Sequence, residues 1–377
     1  MSRQSEKYII GLTGDIATGK SVVRKMLEHL GAYGIDADAL AKRAAARGAP
    51  GFQPIVDLFG RYILAGNGEI DRAKLGRLVF SDPAALRSLE AIIHPLVIQA
   101  VDVLLRRAKQ RVIVIEAIKL LESDLHTSCD SIWVTSAPEK IQVERLVKRR
   151  NMTDAAALQR IRAQAPQDEK IRAADVLIWN VGSFEDTWEQ VTKAWKTISP
   201  AAEATPEATV KTAPGRLSVQ RGRPRDSDAI AELLTQTGPA AHKFTRSDVM
   251  EAFGEKAFLL LMADSRPVGL AGWQVENLVA RTTNIVVKPS VDVKIALTSL
   301  MKEVESASRD LQCEASLLFL TLQLAEHEGV CRELGYERRT PQTLGVQAWQ
   351  DAALESMPSD TILLFKQLRQ DRILRPI

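Results

Sequence analysis

Two α/β domains in series are what this sequence predicts: a parallel-sheet domain built around a phosphate-binding loop, then a mixed α+β domain. Three observations carry the prediction. Residues 14–21, Gly14-Asp15-Ile16-Ala17-Thr18-Gly19-Lys20-Ser21, fit the spacing G-x-x-x-x-G-K-[ST] between the apolar run Tyr8-Ile9-Ile10 and an amphipathic stretch (Val22, Val23, Met26, Leu27, Leu30). Short apolar runs then alternate with helical periodicity, the signature of strands buried in a parallel sheet. Finally, 377 residues exceed what one hydrophobic core usually supports. A break is therefore expected, and residues 199–215 supply it: they carry Pro200, Pro206 and Pro214 and almost no large apolar side chain, so ordering them gains too little burial to offset the entropy.

In chain order, residues 8–12, 32–35, 112–115, 131–134 and 176–179 read as the strands of the first domain, 1–198. After the linker 199–215, the second domain, 216–377, reads as strands at 216–219, 257–263, 268–274, 282–287 and 316–321. Helices fall near 226–236, 293–309 and 326–334. Several strands thus precede one long central helix.

Composition narrows the function classes. Hydrophobic residues make up 45% and charged residues 26% of the chain, the balance of a globular protein. A net charge of +3 gives no concentrated basic stripe for nucleic acid. No apolar run is expected to approach the roughly 20 residues of a spanning helix, and residues 1–7 lack a signal-peptide core, so a cytoplasmic protein without a membrane partner is expected. Cys129, Cys313 and Cys331 are odd in number and not close-paired, which predicts buried thiols rather than disulfides or a zinc site.

The chemistry of the first domain starts at its loop. Glycines let backbone N–H groups of residues 14–19 approach phosphate oxygens, Lys20 reaches the β and γ phosphates, and the Ser21 hydroxyl meets Mg2+. The second strand ends in Ile35-Asp36-Ala37-Asp38, carboxylates at the sheet edge where open α/β folds bind ligands. Asp36 or Asp38 can serve as a base toward an acceptor hydroxyl, or as a cap for the following helix. Glu116 ends the next strand and suits either magnesium, through water, or substrate positioning. Arg145, Lys148, Arg149 and Arg150, followed by Arg160 and Arg162, form a basic cluster that fits a phosphate-covering lid or a solvated helix face.

These residues, taken together, resemble the dephospho-CoA kinase family over about residues 7–197. The matches run in order: Gly11-Leu12-Thr13-Gly14 with Gly19-Lys20-Ser21, Ile35-Asp36-Ala37-Asp38, Phe59-Gly60, Ile70-Asp71-Arg72, Val79-Phe80, His94-Pro95, Arg145-Leu146, Arg160-Ile161, Gln164, Lys170, Ala174-Asp175, Asn180 and Gly182. The resemblance implies a P-loop NTPase domain with a helical insertion at about 50–105 and a lid at about 137–170. It implies ATP-dependent phosphorylation of the ribose 3′-hydroxyl of dephospho-CoA, the last step of coenzyme A synthesis. Asp36 would be the acceptor-side base, Lys20 and Arg145 catalytic partners, and Arg145 and Arg149 lid contacts to ATP. Asp38, Asp71, Arg72, His94 and Glu116 would bind substrate, with His94 before Pro95 equally readable as a turn residue. This chain departs from the family pattern at Asp15, where glycine is common, and at Ala17-Thr18. It departs again at 116–122, where the usual proline is absent and Lys119 adds a charge.

The second domain is similar to the N-acetyltransferase fold: Arg223-Pro224-Arg225-Asp226-Ser227-Asp228 precedes an apolar helix, Val268-Gly269-Leu270-Ala271-Gly272-Trp273 resembles its hairpin, and Cys331-Arg332-Glu333-Leu334-Gly335-Tyr336-Glu337 its late segment. The pyrophosphate loop of that fold is expected after Val287, yet Lys288-Pro289-Ser290-Val291-Asp292-Val293-Lys294-Ile295 has no glycine. A degenerate, non-catalytic or regulatory acetyltransferase-like domain with an unidentified ligand or protein partner is the expectation. The alternatives are a bifunctional kinase and N-acetyltransferase, a kinase for another nucleotide, and a nucleotide-binding scaffold.

Overall fold

The computed structural model describes residues 7–150, 152–164, 166–198, 217–237, 243–371 and 373–374. The expected linker at 199–215 lies outside the described residues. The first domain runs β1 (Tyr8–Thr13), α1 (Lys20–His29), β2 (Tyr33–Asp36), α2 (Ala37–Ala44), α3 (Phe52–Phe59), α4 (Arg72–Ser81), α5 (Pro83–Arg107), β3 (Val112–Glu116), β4 (Ser131–Ser136), α6 (Glu139–Arg150), α7 (Asp154–Arg162), α8 (Gln167–Arg172), β5 (Val176–Trp179) and α9 (Phe184–Ile198). Its five strands are all parallel in the order β2-β3-β1-β4-β5. Each expected strand is present, and helices cover both faces as parallel sheets require. Val23, Met26 and Leu27 of α1 pack with Val191 and Trp195 of α9 over Ile10, Leu12 and Trp133. The opposite face buries Ile9, Ile35, Ile113 and Ile115 under Leu40 of α2 and Val97, Val101 and Leu104 of α5.

Helix α5 corrects one expectation. It is long and apolar enough to cross a membrane by length and composition. Its residues Ile93, Val97, Ala100, Val101, Leu104 and Leu105 are instead buried in the core of this domain. His94 and Pro95 lie inside this helix, so the turn reading of His94 is also corrected. Proline removes one internal N–H bond there without ending the helix, because packing on both sides holds the segment.

The second domain runs β6 (Ser218–Arg221), α10 (Ser227–Thr237), α11 (Arg246–Phe253), β7 (Ala257–Ala263), β8 (Arg266–Glu276), β9 (Val279–Val287), α12 (Val293–Asp310), β10 (Ala315–Thr321), α13 (Leu322–Ala325), α14 (Glu328–Glu333), β11 (Glu337–Arg339), α15 (Gln347–Ser356) and β12 (Thr361–Gln367). The sheet order is β11-β12-β10-β9-β8-β7-β6. All neighbours are antiparallel except β9 and β10, which pair in parallel only from Val279 with Ala315 to Thr282 with Leu318. Asn277 and Leu278, with φ of 52° and 61°, make the tight turn between β8 and β9. That turn starts β9 three residues before the expected position. Helices α11 and α15 and strands β11 and β12 were not foreseen.

The two domains meet along a buried seam. Leu278, from the second domain, packs in the hydrophobic core of the first. Arg43 of α2 and Glu314 form an ion pair across it at 2.5 Å, with side-chain exposures of 8% and 0%.

Candidate active site

The phosphate loop follows from the end of β1 and the start of α1. Gly14 and Gly19 have φ of 144° and 96°, and a Cβ on Gly19 would lie 1.8 Å from Asn180 Nδ2, so only glycine fits there. Ala17 also has positive φ, 61°, a left-handed conformation that costs a residue with a Cβ. Lys20 Nζ donates to the carbonyls of Gly14 at 2.9 Å and Asp15 at 3.0 Å, and burial lowers its pKa. Thr18 Oγ1 donates to Asp15 O at 2.8 Å and meets Thr135 Oγ1 at 2.7 Å.

Asp15 does not face the loop's hollow. Its carboxylate accepts from Lys170 Nζ of α8 at 2.7 Å, and both side chains are buried. The carboxylate that looked out of place among phosphate donors is thus neutralised from behind. Other lid elements grip the same loop: Gln164 Oε1 accepts from Ile16 N at 2.8 Å, and Arg145 donates to Ala17 O at 3.1 Å and Asn180 O at 2.9 Å. Asn180 Nδ2 donates to Thr18 O at 2.9 Å. The side chain of Arg149 lies outside the described residues.

Three carboxylates gather beside the loop at the ends of β2 and β3. Glu116 is registered against both Leu12 and Asp36. It accepts from Ser21 Oγ at 2.8 Å and from Arg24 Nε at 2.6 Å. Arg24 also bonds Glu28 Oε1 at 2.7 Å and lies 3.9 Å from Asp36 Oδ2. Asp36 caps α2 by accepting from Ala39 N at 2.8 Å, so the cap and base readings are both open to one carboxylate with two oxygens. Burial, and then the Glu116 charge, push its pKa up to about 6. Asp38 accepts from Ile118 N at 3.2 Å, and burial raises its pKa too.

A cavity of about 470 Å³ opens beside Asp38 under the helical insertion. Arg72 and His94 line it with Lys42, Ile70, Val97 and Phe80, the last standing 81% exposed at the rim. Lys119 lies on the same wall and pairs with Glu90 of α5 at 2.7 Å, which accounts for the added charge in the 116–122 segment. Asp71 is engaged otherwise: it caps α4, accepting from Ala73 N and Lys74 N, each at 3.0 Å. Glu116 faces Ser21 and Arg24. Arg24, Gln164, Lys170 and Asn180 were missed as site residues. Gln164, Lys170 and Asn180 stood in the ordered motifs without a role, and Arg24 was legible only as a cation four residues past Lys20 and four before Glu28.

A parallel sheet with this loop, the Arg145, Gln164 and Lys170 contacts to it, and carboxylates next to a 470 Å³ cavity are the features of a phosphotransferase of the P-loop class. The model of the family described as dephospho-CoA kinase matches residues 8–186. The dephospho-CoA kinase of Carboxydothermus hydrogenoformans is 42% identical over 186 residues, 48% of this chain and 90% of that protein. That of Geobacter metallireducens is 42% identical over 191 residues, 50% of this chain and 95% of its own length. The chain belongs to the dephospho-CoA kinase family. Toward the other half, a solved PaiA N-acetyltransferase from Thermoplasma acidophilum in complex with coenzyme A overlaps 40% of this chain and 99% of its own, at 12% identity and a TM-score of 0.32. That likeness is too slight to assign a function.

Proposed function

We propose that the first domain transfers the γ-phosphoryl group of ATP to the ribose 3′-hydroxyl of dephospho-CoA, giving coenzyme A and ADP. The observation that carries this reading is the gathering of Asp36, Asp38 and Glu116 at the strand ends beside Lys20 and Ser21 of the loop, with Asp38 on the wall of the 470 Å³ cavity. The 3′-oxygen attacks the γ-phosphorus in line as the bond to the β–γ bridging oxygen breaks, and Asp36 takes the hydroxyl proton. Lys20 then turns from its loop carbonyls to the transferring phosphate. Ser21 Oγ and, through water, Glu116 offer the hard oxygen donors that Mg2+ prefers. When bound, the ion neutralises phosphate charge. Arg145 acts beside them from the lid, and the largely apolar insertion cavity receives the acceptor's arm, with Arg72, His94 and Asp38 on its walls.

Coupled ADP release with dephospho-CoA tests the reading. Asp36→Asn is expected to lower kcat by about 10²–10⁴-fold with a smaller change in the KM for ATP. The acid limb of kcat/KM should fall near pH 6, where Asp36 becomes protonated. Equal rates for the variant and the parent would remove Asp36 from its role, and tight ATP binding without turnover would favour a nucleotide-binding scaffold.

For the second domain we propose a non-catalytic role. The helix N-terminus that an acyl-CoA pyrophosphate would need is self-capped: Asp292 Oδ1 accepts from Ile295 N at 3.0 Å, setting a carboxylate where an anion would sit. Titration of the full chain with acetyl-CoA checks this. Binding that titrates only the kinase cavity, and is lost on filling it with dephospho-CoA, is the expected result.

A further inference from the structure

The seam between the domains also touches α5 and α9, but two of its contacts fall on α1, which begins at Lys20, and on α2, which Asp36 caps. Lys25 Nζ of α1 donates across the seam to Val275 O of β8 at 2.8 Å and, within α1, to Glu28 Oε2 at 2.9 Å. Glu28 Oε1 accepts from Arg24, and Arg24 reaches Glu116 and Asp36. Glu116 in turn accepts from Ser21. An unbroken chain of polar contacts, with Arg24 and Lys25 almost fully buried, therefore runs from the second domain's backbone to the proposed base and the loop hydroxyl.

A second arm reaches α2. Arg43 NH1 donates to Asn277 O at 2.9 Å while NH2 pairs with Glu314, and Leu278, between these contacts, fills the kinase core. Asp36 caps that same helix. Where the two arms converge, a cavity of about 40 Å³ is lined by Arg24, Glu28, Asp36 and Asn277. Its size and polar walls suit a few water molecules, and Asn277 Oδ1 is buried there without a protein partner.

We infer that the second domain is a positioning element of the kinase: its β8–β9 turn and Glu314 hold α1 and α2 from behind and so fix Arg24 and Asp36 for phosphoryl transfer. Arg24 is the shared part. It is the one cation in contact with both Glu116 and Asp36 among the contacts described, so any slack that lets it swing toward Glu28 withdraws counter-charge from the acceptor side. Lys25 prevents this by satisfying the other oxygen of Glu28. Buried pairs of this kind add little net stability, but they fix geometry where one arrangement must be selected. The inference rests on the kinase reading above.

The test uses the full chain carrying Leu278→Ala or Glu314→Gln in the second domain, with Leu354→Ala, an exposed position on α15, as control. Wild-type turnover of dephospho-CoA establishes the kinase reading first, and its absence overturns both. The expected result is a kcat lowered about tenfold in either seam variant, with the KM for ATP within about twofold, because misplacing a base by a fraction of an ångström acts in the transition state. The acid limb should also rise by about half a pH unit as Asp36 loses part of its counter-charge. Lys25→Met should reproduce both changes and Lys25→Arg should restore them, a pattern that loss of folding does not give. Variants with lowered melting temperature but wild-type kcat and pH profile per folded molecule would overturn the inference.

Discussion

Asp15 shows how much one residue can hide from its own sequence neighbourhood. Its partner Lys170 is 155 positions away, so no spacing rule could join them, and a carboxylate in a phosphate loop reads as a defect until the lid is in view. With the pair in place, the loop gains a buried anchor to α8. Removing one member leaves the other charged and desolvated, so Asp15→Asn is expected to cost about 3–5 kcal/mol of stability by urea denaturation. The loss should be larger than that of the double variant Asp15→Asn, Lys170→Met, in which neither charge is stranded. Equal losses would mean that the two groups do not act together. By contrast, Asp36 and Glu116 were readable at once. Each ends an apolar strand run, and the parallel topology carries every such end to the same edge.

At the scale of elements, α1 carries two tasks on two faces. Its first turn delivers Lys20 and Ser21 to the loop, and its last turn sends His29 into the seam. There His29 Nε2 bonds Phe253 O at 2.7 Å, with ring contacts to Phe253 and Trp188. Burial, and then the charge of Arg221, hold the imidazole pKa down to about 3. The ring is therefore neutral in the folded protein, with Nε2–H as donor, while an unfolded chain takes up a proton below about pH 6.5. Stability is then lost as pH falls from about 6.5 toward 3, because the unfolded state binds the extra proton. His29→Gln keeps an N–H donor and removes the titration. Urea midpoints at pH 5 and 7.5 should differ less in this variant than in the parent, and an unchanged difference would show that His29 does not contribute.

The elements differ in how openly the sequence announced them. The five strands of the first domain are short apolar runs between clear helical patterns, and they were placed to within a residue or two. Strand β12 is as apolar, with Ile362, Leu363 and Leu364 buried, but it returns antiparallel to β10 after an unforeseen α15, and only that pairing makes it a strand rather than a buried helical segment. The early start of β9 was concealed by Asn277-Leu278, since leucine is not a residue that advertises positive φ. Asn277 alone gave a turn signal.

For the whole molecule, the sequence suggested two bodies on a string. The length and the proline-rich stretch argued for division, and the described residues form two separate sheets. What composition could not reveal is that Leu278, Arg43 and Glu314 make one interior across it, because a leucine in a turn, a helix arginine and a glutamate just before a strand carry no mark of the distant partner each meets. We expect these contacts to keep the halves together without covalent continuity through residues 199–215. If a specific protease site is placed in that stretch and cut, the two fragments are expected to elute as one particle and to retain turnover. Separation at micromolar concentration would show the seam too weak to serve as a joint. The peptide linkage then has a different part to play: it ensures that every kinase is made with its own brace, in equal number and at an effective concentration no free partner would reach.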